Sequence, residues 1–244
     1  MLQEDNGYYF GIGAFETMMI CNREPILVKQ HLKRLNKTLQ FLQLSQFLSE
    51  PDVERYLKEQ DISNGILKIA VSEKNISYSA HSNKYTAKTY QNGFYLCISP
   101  FLRNESSPLT YHKTINYAEN IIARRFAEEN QADEVLFLNT KGEISEGSFT
   151  NIFFVREKRL YTPKRECGLL PGVFREMICE NEKVEKAVIR LEDIKNFEEC
   201  FVTNSILGIM KVNAIENHIF QGFSVIEKLQ DKYSHLFAGI ISGD

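Results

Sequence analysis

The sequence predicts an α+β protein in two domains, and three observations carry that reading. Strand-like runs bounded by turn residues are mixed with amphipathic helical stretches in no regular strand–helix alternation. Near the middle, "RNESSPLTY" (103–111) is rich in Ser and Asn, holds a proline and reads as a link. The chain has 244 residues, 43% of them hydrophobic and 25% charged, enough for one large or two modest cores. The expected division is residues 1–105, a linker at 106–112, and residues 113–244.

In order, "YYFGIGAFETMMICNREPILV" (8–28) reads as two strands around the polar turn "CNRE". The stretch 29–44 reads as a helix, because Leu32, Leu35, Leu39 and Leu42 recur at three- and four-residue steps. "GILKIAVSE" and "GFYLCISPF" are strands, and the polar segment 74–92 between them is expected to be irregular. Beyond the link, "TINYAENIIARRFAEENQA" is a helix with Ile115, Ala118, Ile122 and Phe126 on its apolar face. Strands follow at "DEVLFLN", "EISEG", "NIFFV" and "RLYTP", and "LLPGVFREMICENE" opens a helix with Pro-Gly at its start. "VEKAVIR" is a strand, "LEDIKNFEE" a short helix, the stretch from Cys200 to Phe220 returns to strand, and residues 223–240 close with a helix.

Composition narrows the function classes. A formal net charge of −3 gives no electrostatic reason to expect nucleic acid or an anionic membrane as partner. Cys21, Cys97, Cys167, Cys179 and Cys200 have neither zinc-ligand nor disulfide-framework spacing, so no metal is expected and a reducing cytoplasm is the natural setting. The polar, acidic start is unlike a signal peptide, and no apolar run approaches membrane-spanning length. No P-loop, GxGxxG or HExxH motif occurs.

The candidate chemical groups each have an ordinary alternative. Lys113 is either a solvated lysine at the mouth of a helix or an amine that captures an aldehyde cofactor such as pyridoxal 5'-phosphate. Glu146, at a strand end before Gly147 and Ser148, is either a surface carboxylate or the partner that keeps a pyridine nitrogen protonated. His31 falls with the leucine stripe and reads as a satisfied, partly buried histidine. Arg34, on the flank of that stripe, is either solvated or a planar fork for a phosphate. Pro171 and Gly172 precede a helix start at which Val173 and Phe174 would offer backbone donors to an anion, or merely begin a helix. Thr203, Asn204 and Ser205 end a strand and serve a local turn or an anion.

Taken together, "GIGAFETM", "HLKRL", "KTIN", "ADEVLFLNTKGEISEGSFTNIFFV", "LLPGVFR" and "FVTNSILGIM" resemble, in this order, the fold-type IV pyridoxal-phosphate enzymes, the class IV aminotransferases, over nearly the whole chain. Lys113 to Val155 is the specific part. The resemblance implies a two-domain fold like that of D-amino-acid aminotransferase, with pyridoxal 5'-phosphate as cofactor and a small-molecule substrate. It implies that Lys113 carries the Schiff base, Glu146 meets the pyridine nitrogen, and Arg34 binds the phosphate. Val173, Phe174, Asn204 and Ser205 would also meet the phosphate, and Tyr117 the phenolic oxygen. Relatives are usually homodimers with partner loops reaching the active site, so a homodimer is expected.

Three departures stand out. Phe174 replaces a common threonine, Lys211 replaces a common proline, and the start is short, which is expected to reshape the dimer edge. The Lys-x-x-Asn spacing is similar to that of the lyases and D-amino-acid enzymes. The loop "SEKNISYSAHSNKY" holds His81 but no arginine, unlike D-amino-acid transaminases. The short form is most similar to bacterial aminodeoxychorismate lyases, which implies conversion of 4-amino-4-deoxychorismate to p-aminobenzoate and pyruvate in folate synthesis. The alternatives are an aminotransferase for a D- or branched-chain amino acid, and a non-catalytic protein of the same fold.

Overall fold

The computed structural model of the protein describes residues 2–237. The chain forms two compact units. The first holds the described chain up to Lys84, the segment His112–Tyr117, and Leu236 and Phe237; the second holds Tyr85–Tyr111 and Ala118–His235. The division differs from the expected one: the first unit gives up 85–105 and takes in Lys113. The last seven residues of the expected second domain, 238–244, lie outside the described residues.

In the first unit, α1 (Asn6–Phe10) precedes β1 (Gly13–Cys21) and the two-residue β2 (Glu24–Pro25). The expected opening strand thus starts as a helical turn, with the Asp5 side chain accepting from the backbone N–H of Tyr8. Next come α2 (Val28–Phe41) and α3 (Glu50–Glu59), which is absent from the sequence reading. Strands β3 (Gly65–Ser72) and β4 (Ile76–His81) complete an antiparallel sheet of order β2-β1-β3-β4. The β4 strand corrects the reading of 74–92 as irregular. One face of this sheet presents Ala14, Met18, Ile20, Leu67, Ile69 and Val71, which pack against Leu32, Leu35 and Leu39 of α2 and Val53 and Leu57 of α3. Period-two alternation in the strands and the leucine stripe of α2 thus meet in one core.

The second unit begins with α4 (Ala87–Asn92), also within the segment read as irregular, and β5 (Phe94–Ile98). It continues with α5 (Ala118–Glu129), β6 (Glu134–Leu138), β7 (Ile144–Gly147), β8 (Asn151–Arg156) and β9 (Arg159–Pro163). Then come α6 (Val173–Asn181), β10 (Val184–Ala187), a 3-10 helix at Leu191–Asn196 and β11 (Glu199–Asn204). Strands β12 (Gly208–Ile215) and β13 (His218–Ile219) and helix α7 (Ser224–Tyr233) follow. Helix α7 gives way to a 3-10 helix at Ser234–Phe237, and residues 238–240 of the expected closing helix lie outside the described residues.

Nine strands form one mixed sheet, β10-β9-β8-β11-β12-β5-β6-β7 with β13 on β12. Its core includes Leu96, Leu136, Ile144, Ile152, Phe154, Val202, Met210 and Val212. Helix α5 buries Ala123 and Ala127, and Phe126 of the expected face packs against the same cluster, but Ala118 is exposed and Ile122 is 49% exposed. Small residues let the helix approach β6 closely, where Val135 and Phe137, with Cys97 of β5, complete the cluster. No described helix is long and apolar enough to cross a membrane.

Candidate active site

One set of candidate residues belongs to the first unit. Lys113 does not open a helix: it follows a 3-10 turn at Pro108–Tyr111 and precedes α5 by five residues. Its segment is fastened to the edge of β1 that β3 leaves open. The Phe15 N–H donates to the Lys113 carbonyl at 3.0 Å, the Ile115 N–H donates to Gly13 at 2.9 Å, and Thr114 bridges Ala14. Gly13 permits the approach, since a Cβ there would lie 2.6 Å from the Val71 carbonyl oxygen and 2.7 Å from Ile115 Cδ1. On the other side, the His112 ring stacks on Phe41 of α2 with centroids 4.0 Å apart. The lysine's backbone is therefore fixed on both flanks. Its Nζ lies 4.3 Å from the Phe15 ring centroid and 5.4 Å from that of Tyr117, whose ring meets Phe15 edge-on.

Arg34 is not a solvated side chain. Its Nε donates to Glu16 Oε1 at 2.7 Å and its Nη2 to Oε2 at 2.8 Å, the planar fork-to-carboxylate pairing that a lysine cannot make. His31 Nδ1 reaches the same carboxylate at 2.6 Å. Glu16 and His31 are fully buried on the helix-covered face of β1, inside an otherwise apolar core. Burial opposes the Glu16 charge, but Arg34 and then His31 outweigh it and hold the carboxyl well below the usual range. Burial likewise pushes His31 below its ordinary value against the pull of Glu16. We therefore read His31 as neutral, with Nδ1 carrying the donated proton and Nε2, which has no hydrogen-bond partner, unprotonated.

A second set belongs to the other unit. Glu146, at the end of β7, is only 7% exposed. Its Oε2 accepts from the Leu170 N–H at 2.9 Å and from Asn151 Nδ2 at 3.3 Å, while Arg103 Nη2 lies 3.4 Å from Oε1. Arg103 is buried, stacks on Phe137 with its guanidinium 3.9 Å from the ring centroid, and donates from Nη1 to Glu119 at 2.6 Å. Its Nε and Nη2 make no hydrogen bond, so buried donor capacity remains beside Glu146. The following turn is built on Glu134, which accepts from the N–H groups of Ser148 at 3.0 Å and Phe149 at 3.1 Å, and from the Thr150 hydroxyl at 3.2 Å.

Helix α6 starts at Val173 after the N-cap Gly172, where a Cβ would come within 2.1 Å of Asn151 Oδ1. Only glycine lets the helix start lie this close to Asn151. The Phe174 ring is buried against Tyr233 of α7, so its backbone alone is available to a ligand there. The Asn204 side chain accepts from the N–H groups of Ile206 and Leu207, both at 2.8 Å, and donates to the Phe149 carbonyl at 3.3 Å. It shapes the turn that carries the half-buried Ser205. Glu16, Arg103, Glu134 and Asn151 are the side chains that sequence reasoning missed. All four sit in quoted stretches, Glu16 in "GAFETM", Arg103 at the start of "RNESSPLTY", and Glu134 and Asn151 within "ADEVLFLNTKGEISEGSFTNIFFV".

The profile of the family Amino-transferase class IV matches residues 13–215, and the chain belongs to that family. It is 29% identical over 238 residues to the aminodeoxychorismate lyase of Bacillus subtilis, covering 87% of this chain and 80% of that protein. Among solved structures, a putative 4-amino-4-deoxychorismate lyase from Legionella pneumophila superposes with a TM-score of 0.85 at 24% identity, covering 97% of this chain and 95% of the other. A branched-chain amino acid aminotransferase from Thermobaculum terrenum in its pyridoxal-phosphate form superposes with a TM-score of 0.82 at 18% identity, over 98% and 89% of the two chains.

Enzymes of this fold type depend on pyridoxal phosphate, and the residues present suit that group. An amine rests on two aromatic rings, a buried carboxylate is flanked by an arginine with unfilled hydrogen-bond capacity, and a helix begins at a close-packed glycine.

Proposed function

We propose that the protein binds pyridoxal 5'-phosphate and cleaves 4-amino-4-deoxychorismate to p-aminobenzoate and pyruvate. The observation that carries the chemistry is Lys113, whose backbone is pinned to β1 and α2 while its amine stands over Phe15. The choice of substrate is supported by the likeness to the Bacillus subtilis lyase. When bound, the cofactor supplies an electron-poor ring that accepts charge from the carbon bearing the substrate amine. In this reading Glu146 keeps that ring's nitrogen protonated, and Arg103 and the Leu170 N–H fix the position of its carboxylate. Arg34, the backbone at Val173 and Phe174, and the turn at Asn204 and Ser205 hold the phosphate, and Tyr117 meets the phenolic oxygen.

Lys113 acts as the base that takes the proton from the substrate carbon next to the amine. The C–O bond to the enolpyruvyl group then breaks, the leaving group takes up a proton to become pyruvate, and the ring becomes aromatic. An aminotransferase would share the proton abstraction and differ afterwards. The loop that holds His81 but no arginine speaks against a D-amino-acid transaminase.

The deciding test supplies 4-amino-4-deoxychorismate and measures pyruvate and p-aminobenzoate in equal amounts. Turnover of amino acids with 2-oxoglutarate and no pyruvate release would instead make the protein a transaminase, and a protein that takes up no cofactor would be a non-catalytic relative. The same reading makes it a homodimer of a reducing cytoplasm, in keeping with five unbridged cysteines; a monomer by light scattering would exclude the dimer. For Arg34→Lys, which keeps the charge beside Glu16 but loses the fork, equilibrium dialysis is expected to show about tenfold weaker retention of pyridoxal phosphate. Unchanged affinity would remove Arg34 from the phosphate site.

A further inference from the structure

Helix α6 begins with Val173, Phe174 and Arg175, all three buried, behind the close-packed Gly172. Val173 and Phe174 have no polar side-chain atom. An anion at this helix start is therefore held there by backbone N–H groups, and their direction decides how well. Arg175 ties the turn to β9, donating from Nη2 to the Pro163 carbonyl at 2.9 Å and from Nε to the Thr162 hydroxyl at 3.4 Å. Phe174 is held by α7 instead. Its ring centroid lies 6.0 Å from that of Tyr233, with the planes at 75°.

Tyr233 is 6% exposed, and its hydroxyl donates at 2.7 Å to Glu182, the C-cap of the same helix α6. Lys232 Nζ reaches that carboxylate at 2.6 Å. One tyrosine thus holds α6 near both ends. Burial, and then Glu182, push its phenol above the ordinary value, so it remains a donor. Helix α7 is itself fixed to the sheet. The Val225 and Ile226 N–H groups donate to Glu199 of β11 at 3.1 and 3.0 Å, and Gln230 Nε2 donates to the Ile209 carbonyl of β12 at 3.0 Å.

We propose that Tyr233 is a positioning residue for the phosphate of pyridoxal 5'-phosphate: it locks Phe174, and with it the direction of the backbone N–H groups at the start of α6. The inference rests on the reading that Val173 and Phe174 meet the phosphate, and it adds α7 to the support of the cofactor. Without the ring of Tyr233, Phe174 can change rotamer and the first turn can fray, because the leading N–H groups of a helix have no partners inside it.

The test loads the full chain either with pyridoxal phosphate or with pyridoxal, which lacks only the phosphate, and compares retention by equilibrium dialysis. Both keep the aldehyde for Lys113 and the ring nitrogen for Glu146. The wild type is expected to hold the phosphorylated form about a hundredfold more tightly or better. Tyr233→Leu should weaken retention of pyridoxal phosphate about tenfold and leave that of pyridoxal unchanged. Phe174→Leu, which breaks the same ring contact from the side of α6, should show the same selective loss. Tyr233→Phe keeps the ring and loses only the bond to Glu182, so it should keep most of the preference for the phosphorylated form. Equal losses for both ligands, or no loss for either, would overturn the inference. A wild type that holds the two forms equally would defeat the proposed phosphate site and this inference with it. A Tyr233→Leu protein that prefers the phosphorylated form as strongly as the wild type does would leave that site standing and remove only Tyr233.

Discussion

Lys113→Ala is expected to lower turnover by at least about a thousandfold, within the range lost when a positioned acid–base group is removed. The fold should hardly respond. The hydrogen bonds that fasten this segment to β1 come from the backbone of Lys113 and Ile115 and survive truncation of the side chain. The contact of the half-buried ammonium with Phe15 and Tyr117 is worth about 0.5–1 kcal/mol. Lys113→Arg separates the two effects: it keeps a cation over the ring but cannot form or exchange a covalent link to an aldehyde. Both variants should melt close to the wild type and both should be inactive. Borohydride reduction of the loaded wild type should fix the cofactor to the peptide containing Lys113. Label on another peptide, or near-normal turnover in either variant, would refute the role given to this lysine.

The elements that sequence patterns reached are those with one apolar face and one wet face. The leucine stripe predicts α2 because Leu32, Leu35 and Leu39 are its buried side, and the alternation in "GILKIAVSE" predicts β3 because Leu67, Ile69 and Val71 are its buried side. Strand β4 alternates as well, Ile76, Tyr78 and Ala80 against Ser77, Ser79 and His81, but its apolar side is half-buried or exposed and the polar count hides the period. Helix α3 is missed for a similar reason: only Val53 and Leu57 are buried in a run dominated by charge. In α5 the difference is of kind: large apolar residues suggest the core face, whereas alanines pack on β6 and Ile121 and Ile122 face outward. For the candidate site, motifs name Lys113, Arg34 and Glu146 but carry no sign of what each touches. Glu16 and Arg103 reach their partners across 18 and 43 residues of chain, a proximity that no local pattern records. Arg103 in particular opens a segment that reads as a solvated link and is instead buried against Phe137.

Glu16→Ala is expected to destabilise the protein by about 3 kcal/mol, at the lower end of the range for removing one partner of a buried ion pair. Two groups lose their acceptor at once. His31 is fully buried and cannot reach water, so its Nδ1–H is left unsatisfied. Arg34 retains 13% of its side-chain exposure and can tilt its head outward, which moderates the cost. For a chain of this length the loss corresponds to a fall in melting temperature of roughly 6–12 °C.

Acid should expose the same cluster in the wild type. Both Glu16 and His31 have native pKa values below their unfolded ones, so each contribution is complete above the unfolded value and is lost as pH falls towards the native one. The His31 contribution should begin to fade below about pH 6.5 and that of Glu16 below about pH 4.3. In His31→Leu the first stage should vanish, and in Glu16→Ala the second. Replacing Glu16, His31 and Arg34 together with leucines should recover much of the stability while reducing retention of pyridoxal phosphate, because an apolar cluster avoids the cost of burying charge but offers no fork. A Glu16→Ala protein that melts within 2 °C of the wild type, or a wild type whose stability is flat from pH 5 to pH 2, would show that this carboxylate does not hold the cluster together.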